Sequence, residues 1–209
     1  MGKKRSKSSR RWLDEHVSDP YVQRANREGW RSRAVFKLEE VDLKERLIKQ
    51  GMRIIDLGAA PGGWCQYAAK KIQGNGYIVG LDLLEMQPLE GVDLIQGDFR
   101  EEEVLQELMD VLDGKRADLV MSDMAPNISG MPAVDQPRAM HLAELSLDLC
   151  REALSPGGSL LVKVFQGTGS QELLAKMRKE FDKVKIVKPK ASRPRSREVY
   201  LLAQGYSLV

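Results

Sequence analysis

Seven short runs of β-branched and apolar residues, "MRIIDL", "YIVGLDL", "VDLIQ", "ADLVMSD", "GSLLVKVF", "KVKIV" and "EVYLLA", are interleaved with stretches of helical period near residues 64–72, 101–112, 136–154 and 170–181. This alternation constrains the fold more than any other feature. Strand, helix and strand in succession predict an α/β architecture with a mostly parallel seven-stranded sheet and helices on both faces. The last two runs, near 183–187 and 198–204, are joined by a loop without helical period, which predicts an antiparallel pair at one edge. With 209 residues, 42% of them apolar, the chain suits one domain rather than two. Residues 1–11 read as a basic flexible tail, and residues 12–47 as a helical region broken near Pro20 and Gly29. No run approaches a membrane span, and the N-terminus lacks the apolar stretch of a secretory signal, so a cytoplasmic protein without membrane contact is expected.

Charge is distributed unevenly. Residues 1–11 carry six cations and no acid, as do residues 185–197 (Lys185, Lys188, Lys190, Arg193, Arg195 and Arg197), although the whole chain carries only +3. The remainder is therefore acidic. Two concentrated basic segments on such a body point to a polyanionic partner, most simply nucleic acid. Two cysteines outside any C-x-x-C pair and two histidines give neither a disulfide framework nor a metal cluster, and no metal is expected.

In an open α/β sheet, ligands bind beyond the carboxyl ends of the strands. The residues there are Asp56, Asp82, Asp98, Asp123 and, within the fifth run, Lys163. Behind the first run, "GAAPGG" sets Gly58, Gly62 and Gly63 where the backbone can turn tightly and approach a ligand, ahead of a helix N-terminus. A dinucleotide site would want G-x-G-x-x-G. Here Pro61 and the acid Asp56 suit a ligand with a cationic amine and a sulfonium instead. Asp82 is placed for ribose hydroxyls and Asp98 for an adenine amino group, which together describe S-adenosylmethionine.

Four motifs in order, "DLGAAPGGW", "SDMAPNISG", "LVKVFQG" and "SREVY", resemble those of the FtsJ/RrmJ (RlmE) family of bacterial 23S ribosomal RNA (uridine-2′-O-)-methyltransferases, and the likeness runs from about Arg5 to Gly205. One departure is Cys65, where serine is common. The resemblance implies a Rossmann-like methyltransferase domain over residues 12–209, with 12–47 packed over the active site, and it adds Trp64 and Asp123 to the cofactor residues. It also implies a catalytic tetrad of Lys37, Asp123, Lys163 and Glu198. The substrate implied is a uridine of the aminoacyl-site loop, methylated in the assembled 50S subunit by a monomeric enzyme.

A ribose hydroxyl is a poor nucleophile until its proton is leaving. Lys163, inside an apolar run where a lone charge is costly, could be a general base or a donor that fixes the hydroxyl oxygen while its proton departs late. The residues leave both roles open. A pyrimidine-carbon methyltransferase would need a cysteine nucleophile near the fourth or fifth strand end, and an amine methyltransferase a D/N-P-P-aromatic stretch that "DMAPN" breaks. A non-catalytic RNA-binding assembly factor would explain the basic segments but not Lys163, and a 2′-O-methyltransferase for another RNA remains an alternative.

Because the N-terminal cations alternate with serines and lack aromatic neighbours before Trp12, the tail is expected to touch phosphates without reading bases. Deleting residues 1–11 is expected to flatten the plot of log RNA affinity against log salt by about 2 to 4, leaving cofactor affinity and the methylated position unchanged. A salt series on the full and shortened chains checks this, and an unchanged slope would show an idle extension.

Overall fold

The computed structural model of the chain describes residues 17–207. The basic tail 1–11 and residues 12–16 of the expected helical region lie outside the described residues.

The seven apolar runs form one sheet in the order β3-β2-β1-β4-β5-β7-β6. Its strands are β1 (Arg53–Leu57), β2 (Tyr77–Asp82), β3 (Asp93–Gln96), β4 (Ala117–Ser122), β5 (Leu154–Phe165), β6 (Phe181–Val187) and β7 (Glu198–Tyr206). The first five pair in parallel, while β7 runs antiparallel to both β5 and β6. The expected antiparallel pair is therefore present, with β6 outermost and β7 between it and β5. That inner position matters, because Glu198, the first residue of β7, pairs with Phe165 at the end of β5. An antiparallel strand brings its beginning to the edge where the parallel strands end.

Side chains alternate across each strand and both faces are covered. Ile54, Ile78, Leu119, Met121, Leu161, Tyr200 and Leu202 face one core, with α1 (Pro20–Glu28), α2 (Val35–Glu45) and α3 (Gly63–Ile72). Ile55, Leu57, Val79, Val120, Leu160, Val162 and Leu201 face the other, with α4 (Glu102–Val111), α5 (Pro132–Ala153) and α6 (Ser170–Glu180). By the same alternation Lys163, two residues after Leu161, points toward α2. It pairs with Tyr200 of β7.

Local rules explain the N-terminal helices. Asp19 caps α1 by accepting the Tyr21 N–H at 2.9 Å, Pro20 occupies the first turn, and Gly29 ends the helix with φ +72°. Helix α2 is pinned to α3 at both ends. At its start the Trp64 indole N–H donates to the Ala34 carbonyl at 2.8 Å. Near its end the buried Asp42 accepts from the Tyr67 hydroxyl and the Ile48 N–H, both at 2.8 Å, and meets Lys71 Nζ at 3.1 Å. Lys37 lies between the two pins.

Strand β5 starts earlier than the sequence pattern predicts. "SPGG", at 155–158, reads as a turn, yet the strand begins at Leu154 and absorbs the extra residues as a register shift against β4. Gly157 takes φ +78° there.

Asp56 ends up deep beneath the glycine turn. Its side chain lies on the α3 face of β1, the residue is 1% exposed, and it accepts from the Cys65 thiol at 3.1 Å. Burial, opposed by the Cys65 hydrogen bond and reinforced by Asp123 and Asp82, pushes its carboxyl up to about 8. Asp56 is then a mostly protonated hydrogen-bonding group at neutral pH and not the open counter-charge that the sequence suggested. Because the folded value lies above the unfolded one, near 3.8, its contribution to stability is complete below about pH 4 and is lost as pH rises through about 8. Asp56→Asn is expected to remove that loss, gaining about 4 kcal/mol relative to the wild type between pH 5 and pH 9. Denaturant unfolding across that range checks it, and parallel pH profiles would refute it.

Candidate active site at the carboxyl edge of the sheet

The strand-end residues form one row along the sheet edge, in spatial order Asp98, Asp82, the glycine turn, Asp123, Lys163 and Glu198. The first three are the residues expected from sequence to hold a nucleoside. The last three form a polar cluster with Lys37.

Asp82 ends β2, and its two carboxylate oxygens each accept one backbone N–H, from Ala60 at 2.9 Å and Leu84 at 2.8 Å. Each oxygen keeps a further lone-pair direction for an outside hydroxyl. Asp98 follows β3 and is gripped by Arg100, whose Nε lies 2.9 Å from both carboxylate oxygens. That hydrogen bond holds Asp98 below the usual carboxylate range. The guanidinium therefore occupies part of the carboxylate expected to meet an adenine amino group.

The glycines approach protein rather than open space. Gly58, at φ +72°, has no room for a Cβ, which would sit 2.4 Å from Met124 Cγ. Gly62, at φ +104°, has Arg31 against it, and Gly63 has Ser32. The connector between α1 and α2 thus packs directly on the turn. Arg31 fastens it from outside, donating to the carbonyls of Pro61 at 3.3 Å, Gln87 at 2.8 Å and Pro88 at 2.7 Å. Asp82 and Arg31 together tie the glycine turn to the loop that follows β2. Trp64 is 3% exposed, and its ring lies 5.8 Å from that of Tyr200. Its backbone lies in the first turn of α3.

The polar cluster is compact. Lys163 Nζ lies 3.1 Å from Asp123 Oδ1 and also donates to the Asp123 main-chain carbonyl. Lys37 Nζ is 2.7 Å from Glu198 Oε1 and 3.7 Å from Asp123 Oδ1. Both lysines are 8% exposed. The four residues expected from sequence are brought together, and two more join them. The Tyr200 hydroxyl donates to Asp123 Oδ1, and the Ser192 hydroxyl donates to Glu198 Oε1 at 2.7 Å. Burial pushes the Asp123 carboxyl up, but the charges of Lys163 and Lys37 and the hydrogen bonds from Tyr200 and Lys163 outweigh it, leaving Asp123 below the usual range. Burial and the Asp123 and Glu198 charges drive the Tyr200 hydroxyl well above its ordinary value, so it stays a donor. Tyr200 was findable in the sequence, two residues beyond Glu198 and hence on the same strand face. Ser192, in the loop between β6 and β7, carries no such signal.

The basic segment 185–197 divides in two. Lys185 is paired with Glu45, and Lys188 Nζ donates to the Ser196 carbonyl at 2.8 Å. Arg193 and Arg195 line a cleft of about 510 Å³ with Arg33, Lys37, Ser196 and Glu198. Two walls of that cleft, Lys37 and Glu198, belong to the polar cluster. Among the described residues no group of His, Cys, Asp and Glu is placed to hold a metal ion, and no helix is long and apolar enough to cross a membrane.

Comparison with known proteins agrees with this architecture. The chain is 57% identical over 204 residues to proteins named ribosomal RNA large subunit methyltransferase E from Legionella pneumophila strains Corby and Paris, covering 98% of this chain and 99% of each relative. A crystal structure of a Plasmodium falciparum chain described as a ribosomal RNA methyltransferase matches with TM-score 0.77 at 29% identity, over 85% of this chain and 98% of that one. A Clostridium thermocellum chain at 16% identity shares the fold with TM-score 0.54, over 80% and 96% of the two chains. The family model of the FtsJ-like methyltransferases matches residues 30–206, nearly the whole described chain, and the protein belongs to that family.

Proposed function

We propose that the protein transfers a methyl group from S-adenosylmethionine to the ribose 2′-hydroxyl of a uridine in large-subunit ribosomal RNA. The observation that carries this reading is Lys163, an amino group held at the sheet edge by Asp123 and flanked by Lys37 and Glu198. The large-subunit substrate rests on the names of the Legionella relatives, and the uridine in the aminoacyl-site loop on the motif resemblance. In this reading the enzyme is a cytoplasmic monomer that acts on the assembled 50S subunit. Residues 12–209 are the methyltransferase domain in this reading.

The cofactor fits the residues present. Asp82 keeps acceptor capacity for two vicinal ribose hydroxyls beside the glycine turn. Asp98 would meet the adenine edge, with Arg100 sharing its oxygens. Gly58, Gly62, Gly63 and the backbone of Trp64 shape the wall between Asp82 and Asp123, while Asp56 supports that wall from below. S-adenosylmethionine supplies an electrophilic methyl on a sulfonium.

This chain's own residues orient the hydroxyl and guide its proton. Two of the three donor directions of Lys163 are directed at Asp123, one to its carboxylate and one to its main-chain carbonyl. The third is left for the ribose oxygen. These contacts favour the orienting role over a free base: Lys163 fixes the oxygen in line with the methyl, and the proton leaves late. Lys37 helps to keep Asp123 anionic, Glu198 holds Lys37 in place, and Tyr200 donates to the same Asp123 oxygen that faces the two lysines.

Lys163→Ala is expected to lower turnover at least about a hundredfold while cofactor affinity by calorimetry stays within about twofold. The substrate is large subunits from cells lacking the gene, with ribose methyls mapped on their RNA. Near-normal turnover, or loss of cofactor binding by a folded variant, would overturn the assignment.

A further inference from the structure

The loop between β6 and β7 is fastened to α2 just before it reaches the polar cluster. Glu40 of α2 accepts the backbone N–H groups of Lys190 and Ala191 at 2.6 and 2.8 Å, one on each carboxylate oxygen. Arg33, itself 3.2 Å from Asp19, donates to the Ala191 carbonyl at 2.6 Å. Ala191 is thus held through both of its backbone groups. The next residue, Ser192, folds back so that its N–H donates to the Pro189 carbonyl at 3.0 Å, and the residue is 3% exposed. Its hydroxyl has one proton to donate. That proton goes to Glu198 Oε1 at 2.7 Å, the same oxygen that meets Lys37 Nζ at 2.7 Å.

We propose that Ser192 is a positioning residue for the ribose methylation proposed above, on which this role rests: its hydroxyl fixes Glu198 Oε1 and so keeps the Lys37 ammonium beside Asp123. Glu198 and Lys37 are long side chains with several rotatable bonds, and an ion pair between two such groups gives up rotamer freedom to hold one geometry. A second donor carried on a pinned backbone removes that freedom at Glu198. The bond is also charge-assisted, and therefore stronger than one between neutral groups. Lys37 lies 2.7 Å from Glu198 and 3.7 Å from Asp123, so it follows the glutamate. A carboxylate released by Ser192 draws Lys37 with it and leaves Asp123 to Lys163 and Tyr200. Ser192 acts through Glu198 and Lys37, so its loss slows the reaction and leaves cofactor binding as it is.

The full-length wild type is compared with Ser192→Ala, which removes the hydroxyl without adding bulk, and with Ser192→Thr, which keeps it. Turnover is measured on large subunits from cells lacking the gene and cofactor affinity by calorimetry, and the Asp123 carboxyl is titrated through its carbon-13 resonance in the protein without substrate. For Ser192→Ala kcat is expected to fall about tenfold, with KM for subunits and cofactor affinity within about twofold of the wild type. Ser192→Thr is expected to recover most of that loss. Asp123 faces Lys163, Lys37 and Tyr200, with Asp56 near enough to feel its charge, and Lys37 is the one of these that Glu198 holds. The Asp123 carboxyl is therefore expected to titrate at higher pH in Ser192→Ala than in the wild type. An unchanged kcat, or an Asp123 titration that does not move, would overturn the proposal. So would a loss that falls on cofactor affinity and thermal stability, or one that Ser192→Thr fails to recover in a protein of unchanged Tm, since either would make the serine a prop for the loop. Should the wild type fail to methylate subunit RNA, the functional reading falls, and the Asp123 titration alone still decides: an upward move upholds the placing of Lys37 and coincident curves refute it.

Discussion

A single carboxylate organises the site. Asp123 faces Lys163 from β5, Lys37 from α2 and Tyr200 from β7. Those three residues come from parts of the chain that are far apart in sequence and share no local structure. Partial burial works against an anion at that position, and the two lysines with the tyrosine hydroxyl more than offset it. Remove the carboxyl group and Lys163 loses the partner that orients it, Lys37 loses its second acid, and the buried Tyr200 hydroxyl loses its acceptor.

Much of the remaining structure makes that meeting rigid. The sheet supplies Asp123, Lys163 and Glu198 at one edge because β7 runs backward beside β5. Helix α2 is less constrained by the sheet and is instead fastened to α3 through Ala34 at one end and Asp42 at the other. The connector before it locks onto the glycine turn through Arg31. The glycine turn and the lysine cluster are consequently linked through one helical region and share a frame.

The sheet is legible in sequence because short β-branched and apolar runs interleaved with stretches of helical period leave few alternatives, and strand ends point to Asp82, Asp98, Asp123 and Lys163. Lys37 and Glu198 were reached only through motif resemblance, since nothing local marks a lysine in "RAVFKLEE" as buried. Other features depended on long-range contacts. Asp56 reads as a strand-end acid suited to a cationic ligand, and Cys65 folds over it from α3. The glycines read as room for a ligand, while Met124, Arg31 and Ser32 take that room. The segment 185–197 read as one basic patch, and Glu45 and Glu40, about 150 residues earlier in the chain, divide it into anchors and cleft wall.

The site depends on Asp123 being an anion held by its neighbours. The most direct measurement is the carbon-13 titration of its carboxyl group in the folded wild type and in Lys163→Met. The wild-type carboxyl is expected to stay ionised to below the usual carboxylate range and to titrate at higher pH once Lys163 is removed. Titration at or above the usual range in the wild type, unmoved by Lys163→Met, would contradict it.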